Sequence, residues 1–82
     1  MNITVLTPDE KVFQGEVTSV TVPGTDGQFQ ILNNHAPIVS SLDAGKVKIV
    51  KTGGEDFIFT IQKGFIEVLK NEISLLVQGV EK

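Results

Sequence analysis

Thr21–Pro37 reads TVPGTDGQFQILNNHAP and places turn-forming residues between two stretches with the composition of β-strands. Pro23 fixes its own φ angle and Gly24 tolerates a left-handed one, so this pair predicts a tight reversal of the chain. Asp26-Gly27 repeats the turn signal between the strand-like stretches TSVTV and QFQIL. The segment therefore predicts a β-hairpin followed by a loop, and its many turn signals indicate a surface whose shape matters.

Period-two alternation of apolar and polar residues extends this β pattern along the chain. Alternation fails between Val17 and Val20, which are three positions apart, and a bulge near Thr18-Ser19 would return both to the core. Gly53-Gly54 and Lys70-Asn71 predict hairpin turns. The residues predicted to share buried faces in the later strands are Phe57, Phe59, Ile61, Ile73, Leu75 and Val77.

Two positions near the end of the chain bear on this pattern. Leu76 interrupts the alternation of its strand, and Phe65 is expected in the core together with Ile66 and Val68. No stretch carries a helical stripe, because the best one, Ser40–Gly45, is at most one turn long. We predict an all-β fold with residues 1–82 forming a single domain of two packed sheets.

Composition excludes several classes of function. The net charge is −3 and the seven basic residues, all lysines, are scattered, which argues against nucleic-acid binding. The absence of cysteine excludes disulfides and thiolate metal sites and fits a reducing compartment. No apolar run approaches the roughly 20 residues that span a bilayer, and the opening MNITVLTPDE does not resemble a secretion signal. We therefore expect a soluble protein.

His35 is the only histidine and hence the obvious catalytic candidate. Asp26, Ser40, Ser41 or Asp43 could serve as its catalytic partners by residue type. No nucleophile elbow, P-loop or metal-spaced histidine pair is present, however. Three interpretations remain open from the residues alone: a contact or loop-ordering residue, a plain structural residue, or a catalyst.

Lys51 supports an alternative function. Lipoyl and biotinyl carriers are small β-sandwiches that display a modified lysine on a hairpin, and Lys51 precedes the Gly53-Gly54 turn. Its neighbours, Val-Lys-Thr-Gly, differ from the patterns of those carriers. The carrier domain is therefore the second hypothesis.

The segment VPGTDGQFQILNNHAP resembles the VPG-x-x-G…NHAP signature of the epsilon subunit of bacterial F-type ATP synthases. Upstream, LTPDEKVFQGEVTSV (Leu6–Val20) resembles the opening strands of that family. Downstream, HAPIVSSLDAGKVKIV and KGFIEVLKNEISLLV resemble the remainder of its amino-terminal domain. The resemblance covers nearly the whole chain in order.

This resemblance implies a small β-sandwich of about ten short, mostly antiparallel strands in two five-stranded sheets, with no substantial helix. It implies a non-catalytic rotor subunit of the central stalk, which joins the gamma subunit to the membrane ring of c subunits and supports assembly and energy coupling. The complex would translocate protons or sodium ions. The subunit would need no cofactor and would lie peripherally on the cytoplasmic face of the bacterial inner membrane.

The resemblance also implies site residues. Gln28, Asn34 and His35 would contact the c-ring, and Thr7 and Ser40 match positions near the gamma subunit. Gln28 occupies a position that is often acidic in the family, so here the contact would be polar but uncharged. The residues expected to shape the loop are Pro23, Gly24, Asp26, Gly27 and Pro37.

Most members of the family continue into a two-helix hairpin that can restrain ATP hydrolysis, whereas this sequence ends at Lys82. Two explanations of this ending remain open, a fragment of a longer protein and a naturally short form. We favour the naturally short form, which would have no helical arm for inhibition.

Overall fold

The computed structural model describes all of residues 1–82 and contains eight β-strands and no helix, which confirms the all-β prediction. It follows that no helix in the fold could cross a bilayer. The strands are β1 (Asn2–Leu6), β2 (Lys11–Gly24), β3 (Gly27–Leu32), β4 (Ile38–Leu42), β5 (Gly45–Lys51), β6 (Asp56–Ile61), β7 (Lys63–Leu69) and β8 (Glu72–Gln78).

The strands form two layers that share β2. The first layer has the order β1-β8-β7-β4, in which β1 and β8 are parallel and the other pairs antiparallel. The second layer has the order β3-β2-β5-β6 and is antiparallel throughout. The first half of β2 pairs with β1 and its second half pairs with β3 and β5, so this 14-residue strand passes from one layer to the other.

The structure corrects the expected number of strands from about ten to eight. One reason is that β2 is continuous, although its two halves serve different layers. The other is that the outer edge of β6 carries only a single bridge, in which Thr60 and Glu81 exchange backbone hydrogen bonds of 2.8 and 3.0 Å. Counting both halves of β2 and this bridge separately would give five strands in each layer.

The predicted bulge in β2 is confirmed. The pairing register with β5 shifts between Val17 and Ser19, and the Thr18 hydroxyl donates a hydrogen bond of 3.3 Å to the carbonyl oxygen of Val50. Because one extra residue is accommodated there, Val17 and Val20 both lie in the core despite their spacing of three.

A single hydrophobic core of 16 residues lies between the layers. The predicted buried faces of β6 and β8 are confirmed, with Phe57 partly exposed at the margin. The core residues are Ile3, Val5, Val17, Val20, Val22, Ile31, Leu42, Val47, Ile49, Phe59, Ile61, Ile66, Val68, Ile73, Leu75 and Val77.

The Pro23-Gly24 prediction of a reversal is wrong. Both residues still belong to β2, where they pair with Gln28 and Gly27, and the chain reverses one step later at Thr25-Asp26. Gly27 follows the turn with a φ of 126°, a left-handed value that glycine adopts without strain. The turn is tied to the end of β4, because the amide of Asp43 donates to the carbonyl oxygen of Pro23 at 2.9 Å.

Glycine is required at position 24 because a side chain would not fit there, and not because of its φ angle. A Cβ atom there would lie 2.7 Å from the Gly27 carbonyl oxygen and 2.7 Å from Cε1 of Phe29. We therefore expect Gly24→Ala to lower the free energy of unfolding by about 1–3 kcal/mol in urea denaturation. Gly15→Ala in the same strand is the matched control, since its Cβ would meet only the ring edge of Phe13, at 3.3 Å. Equal losses in the two variants would contradict this explanation.

The other two predicted turns are confirmed. Gly53 and Gly54 join β5 to β6 with φ values of 103° and 91°. Lys70 and Asn71 join β7 to β8 with φ values of 50° and 63°, the left-handed pair that a two-residue hairpin turn of this hand requires.

Candidate interaction surfaces

The loop between β3 and β4, residues 33–37, is held by a pair of asparagines. The amide N–H of Asn34 donates to Oδ1 of Asn71 at 2.7 Å, and Nδ2 of Asn71 donates to Oδ1 of Asn34 at 3.1 Å. Asn34 has a φ of 65°, so its backbone is in the left-handed region that asparagine tolerates better than most residues. We call this arrangement the Asn34–Asn71 clasp.

The clasp joins three parts of the chain. Asn71 lies in the β7–β8 turn, and its carbonyl oxygen accepts a hydrogen bond of 2.9 Å from the amide of Asn2 at the start of β1. On the other side, the amide of His35 donates to the carbonyl oxygen of Leu32 at 3.1 Å, which closes the loop onto the end of β3. The loop is thereby fixed against both layers at one end of the sandwich.

His35 is half-buried in this loop, and its Nδ1 lies 2.6 Å from the carbonyl oxygen of Ala36. Because a carbonyl oxygen only accepts, Nδ1 is the donor in this contact, and in the tautomer protonated at Nδ1 alone Nε2 is a hydrogen-bond acceptor. The imidazole of His35 makes no hydrogen bond to any of the side chains considered as catalytic partners, which are Asp26, Ser40, Ser41 and Asp43.

Gln28 does not lie beside His35. It is exposed in β3 next to the β2–β3 turn, four residues before Leu32, and therefore about 13 Å of strand separates it from the end where the loop begins. It borders a shallow depression of about 310 Å³ together with Ile38 and Ser40. The structure thus groups Asn34 with His35, and Gln28 with Ser40.

Thr7 lies at the opposite edge of the first layer from Ser40. Its hydroxyl oxygen accepts hydrogen bonds from the amides of Asp9 at 3.2 Å and Glu10 at 3.0 Å, so the side chain shapes the β1–β2 loop. Thr7 also borders a groove of about 430 Å³ on the outer face of β7 and β8. Pro37, the last of the predicted loop-shaping residues, is exposed immediately before β4.

An apolar row, half-buried at one end and exposed at its other two positions, lines this groove across the outer face of the first layer. Leu76 of β8 pairs with Leu6 of β1 on one side and with Phe65 of β7 on the other. Leu76 is 49% exposed and Phe65 is 42% exposed. We call Leu6, Leu76 and Phe65 the apolar strip, and Val39 of β4 is exposed near it.

The strip corrects the prediction that Phe65 belongs to the core. Ile66 and Val68 point inward, so strand alternation directs Phe65 outward. Leu76 lies outward for the same reason, since Leu75 and Val77 on either side are buried. In the sequence, Leu76 interrupts the alternating pattern of its strand, and this interruption was the signal for the outward-facing surface.

Lys51 is the last residue of β5 rather than a residue at the tip of the hairpin. Its Nζ lies 5.2 Å from the ring centre of Phe13, 5.6 Å from that of Phe57 and 3.7 Å from Oε1 of Glu55. Cation–π contacts and an ion pair hold the ammonium group against the protein. This placement does not favour the carrier hypothesis, which requires a projecting lysine.

The fold is a small β-sandwich with an apolar strip on the outer face of one layer and a clasped loop at one end. Residues 1–82 match the sequence model of the beta-sandwich domain of the ATP synthase delta/epsilon chain, and the protein belongs to that family.

Relatives named ATP synthase epsilon chain are similar over most of this chain. The one from Chlorobium limicola is 43% identical over 76 residues, which cover 93% of this chain and 86% of the relative. The chloroplastic one from Emiliania huxleyi is 38% identical over 82 residues, which cover this entire chain and 62% of the relative. The one from Protochlamydia amoebophila is 37% identical, and the matched region is 54% of its length. The chain therefore spans only part of several relatives.

Two solved structures share the fold. A chain in the central stalk/c-ring structure of the Tetrahymena thermophila mitochondrial ATP synthase superposes with a TM-score of 0.87 at 19% identity, over 100% of this chain and 66% of that one. A chain of the Euglena gracilis mitochondrial ATP synthase superposes with a TM-score of 0.89 at 22% identity, over 96% of this chain and 51% of that one.

Proposed function

We propose that this chain is a non-catalytic rotor subunit of a proton- or sodium-translocating F-type ATP synthase, joining the gamma subunit to the c-ring. It would support assembly and energy coupling from a peripheral position on the cytoplasmic face of the membrane. Family membership supports this role, as do the relatives named ATP synthase epsilon chain. One structure of similar fold is described as central stalk and c-ring.

The observation that carries the proposal is the presence of two exposed surfaces of different chemistry on one rigid core. The apolar strip suits the gamma subunit, because a stable protein interface is centred on desolvated apolar side chains. Thr7 borders the groove that this strip lines, which supports a position near gamma. A close-packed core between the two surfaces transmits force with little compression.

The ring-side contact is polar. Asn34 and His35 would contact the c-ring at the clasped end of the sandwich. The Nε2 atom of His35 would accept a hydrogen bond from a donor on a c subunit. Gln28 would make a second, uncharged contact beside Ser40, at the other end of β3. Ser40 borders the same depression as Gln28, whereas Thr7 lies beside the apolar strip, so Thr7 is the better supported of the two residues proposed to contact gamma.

The experiment that tests the proposal is affinity purification from detergent-solubilised membranes of the source organism. The 82-residue chain carries a tag after Lys82, and the bound proteins are identified by mass spectrometry. We expect recovery of gamma and c subunits. Recovery of neither subunit by a chain whose fold is verified by circular dichroism would contradict the proposed function.

His35→Ala is expected to reduce the affinity for the c-ring about tenfold, since one hydrogen bond to a charged or strongly polar donor is worth about 1.5 kcal/mol. Binding to gamma and the unfolding midpoint should be unchanged, because the imidazole of His35 makes a hydrogen bond only to the neighbouring Ala36 carbonyl. Titration of labelled chain onto purified c-ring in detergent measures the effect. Lys46→Ala, an exposed change on the second layer, is the control, and an equal loss there would contradict a specific role for His35.

A further inference from the structure

We propose that Asn71 is a positioning residue for the His35 loop and acts on it through Asn34. The inference that this matters for ring binding rests on the proposed function. Asn71 lies in a different hairpin, 37 positions along the chain from Asn34, and makes two hydrogen bonds to it. The ring-side contact is therefore composite, built from the β3–β4 loop and the β7–β8 turn.

No other hydrogen bond links this loop to a strand other than β3, which precedes it. Residues 33, 34, 36 and 37 are exposed, and His35 is only half-buried, so packing in the core does not order the loop. The one backbone hydrogen bond of the loop, from the amide of His35 to Leu32, returns to the strand that precedes it. The clasp is the only set of hydrogen bonds between residues 33–37 and the first layer.

Asn71 is itself firmly placed. It is the second residue of a two-residue turn between paired strands, and its carbonyl oxygen is bonded to the amide of Asn2. Its side-chain amide therefore offers an acceptor and a donor in a fixed direction, and Asn34 satisfies both. A loop ordered in this way before binding loses less conformational entropy when a partner docks, which increases affinity.

Asn71→Gly tests the proposal, because glycine accepts the φ of 63° at this position and the change removes the whole side chain with its carboxamide. Lys70→Gly is the matched control: Lys70 occupies the preceding turn position at a φ of 50°, and its side chain makes no hydrogen bond or ion pair. Asn71→Asp keeps the acceptor for the Asn34 amide but replaces the Nδ2 donor with an oxygen, so the Asn34 side-chain amide must turn over to donate to it. We expect this variant to keep most of the wild-type order of the loop.

The first readout is amide hydrogen exchange of the ¹⁵N-labelled 82-residue chain. We expect the Asn34 amide to exchange at least tenfold faster in Asn71→Gly and at an unchanged rate in Lys70→Gly. The Leu75 amide in the core strand serves as the internal reference and should not change in either variant. An Asn34 amide that keeps its protection in Asn71→Gly would overturn the proposal.

The second readout is affinity for the purified c-ring in a double-mutant cycle with His35→Ala. We expect Asn71→Gly to weaken binding about fivefold in the wild-type background and much less than fivefold in the His35→Ala background, where only the Asn34 contact remains to be displaced. Unchanged ring affinity, or a loss that adds fully to that of His35→Ala, would overturn the positioning role. A wild-type chain that did not bind the c-ring would overturn both the proposed function and the role of Asn71 in c-ring binding. Hydrogen exchange would still decide whether Asn71 orders the loop.

Discussion

Replacing Leu76 with glutamate is expected to reduce the affinity of this chain for the gamma subunit at least a hundredfold without unfolding it. Leu76 is 49% exposed in the free chain, so a carboxylate there remains hydrated and costs little stability. In the proposed complex the same position lies at the centre of the apolar strip, between Leu6 and Phe65. A carboxylate enclosed there would lose its water without gaining a partner.

The expected magnitude follows from the behaviour of central interface residues. Truncation of a single buried anchor commonly costs 2 kcal/mol or more, and about 2.7 kcal/mol corresponds to a hundredfold change in affinity. The measurement is a titration of labelled chain onto gamma-containing ATPase complex that has been stripped of this subunit. The c-ring is left out, so that only the gamma contact is observed.

Ile58→Glu is the matched control for this prediction. Ile58 is 45% exposed, close to the value for Leu76, but it lies on β6 in the second layer. The two variants add the same charge to the same kind of exposed apolar position on opposite sides of the molecule. Comparable losses in both would mean that added charge, and not the apolar strip, weakens binding. A Leu76→Glu variant that bound normally would show that gamma packs elsewhere.

Features that depend on local alternation were predictable from the sequence. The buried faces of β6 and β8 and the bulge in β2 follow from the side-chain period of a strand, and all are confirmed. Phe65 was misplaced because the run Phe65-Ile66 is apolar at successive positions, and only the pairing of β7 decides which one faces inward. Leu76 was the visible exception to its pattern, but the sequence did not indicate that an exposed row crosses three strands at this position.

Features that depend on tertiary pairing were not predictable. The clasp requires the β7–β8 turn to meet a loop 37 positions away, and neither asparagine carries a local signal of that meeting. The Pro23-Gly24 error has a similar origin. The pair is typical of a turn, but Phe29 on the facing strand fills the space over Gly24, and this contact makes glycine necessary within β2.

Leu75→Ala is expected to have the largest effect on stability, lowering the free energy of unfolding by about 2–5 kcal/mol. Leu75 is fully buried, between Val5 of β1 and Ile66 of β7 in the pairing of the first layer. Because the surrounding strands are held by backbone hydrogen bonds, they cannot close the resulting cavity completely. A domain of 82 residues has a total stability of roughly 4–12 kcal/mol, so the loss is a large share of it.

Leu76→Ala is the decisive comparison, since it removes the same atoms one position further along β8. The side chain is half exposed, so we expect a loss of less than about 1 kcal/mol in urea denaturation and a clear loss of gamma binding. Leu75→Ala should show the reverse, with weakened folding and near-normal gamma affinity at a temperature at which the variant remains folded. Similar stability losses for both variants would mean that the apolar strip is part of the folding core, and the surface assigned to gamma would then have no separate role. Opposite behaviour of two adjacent leucines would instead establish that strand alternation divides β8 into one face that folds the protein and another that binds its partner.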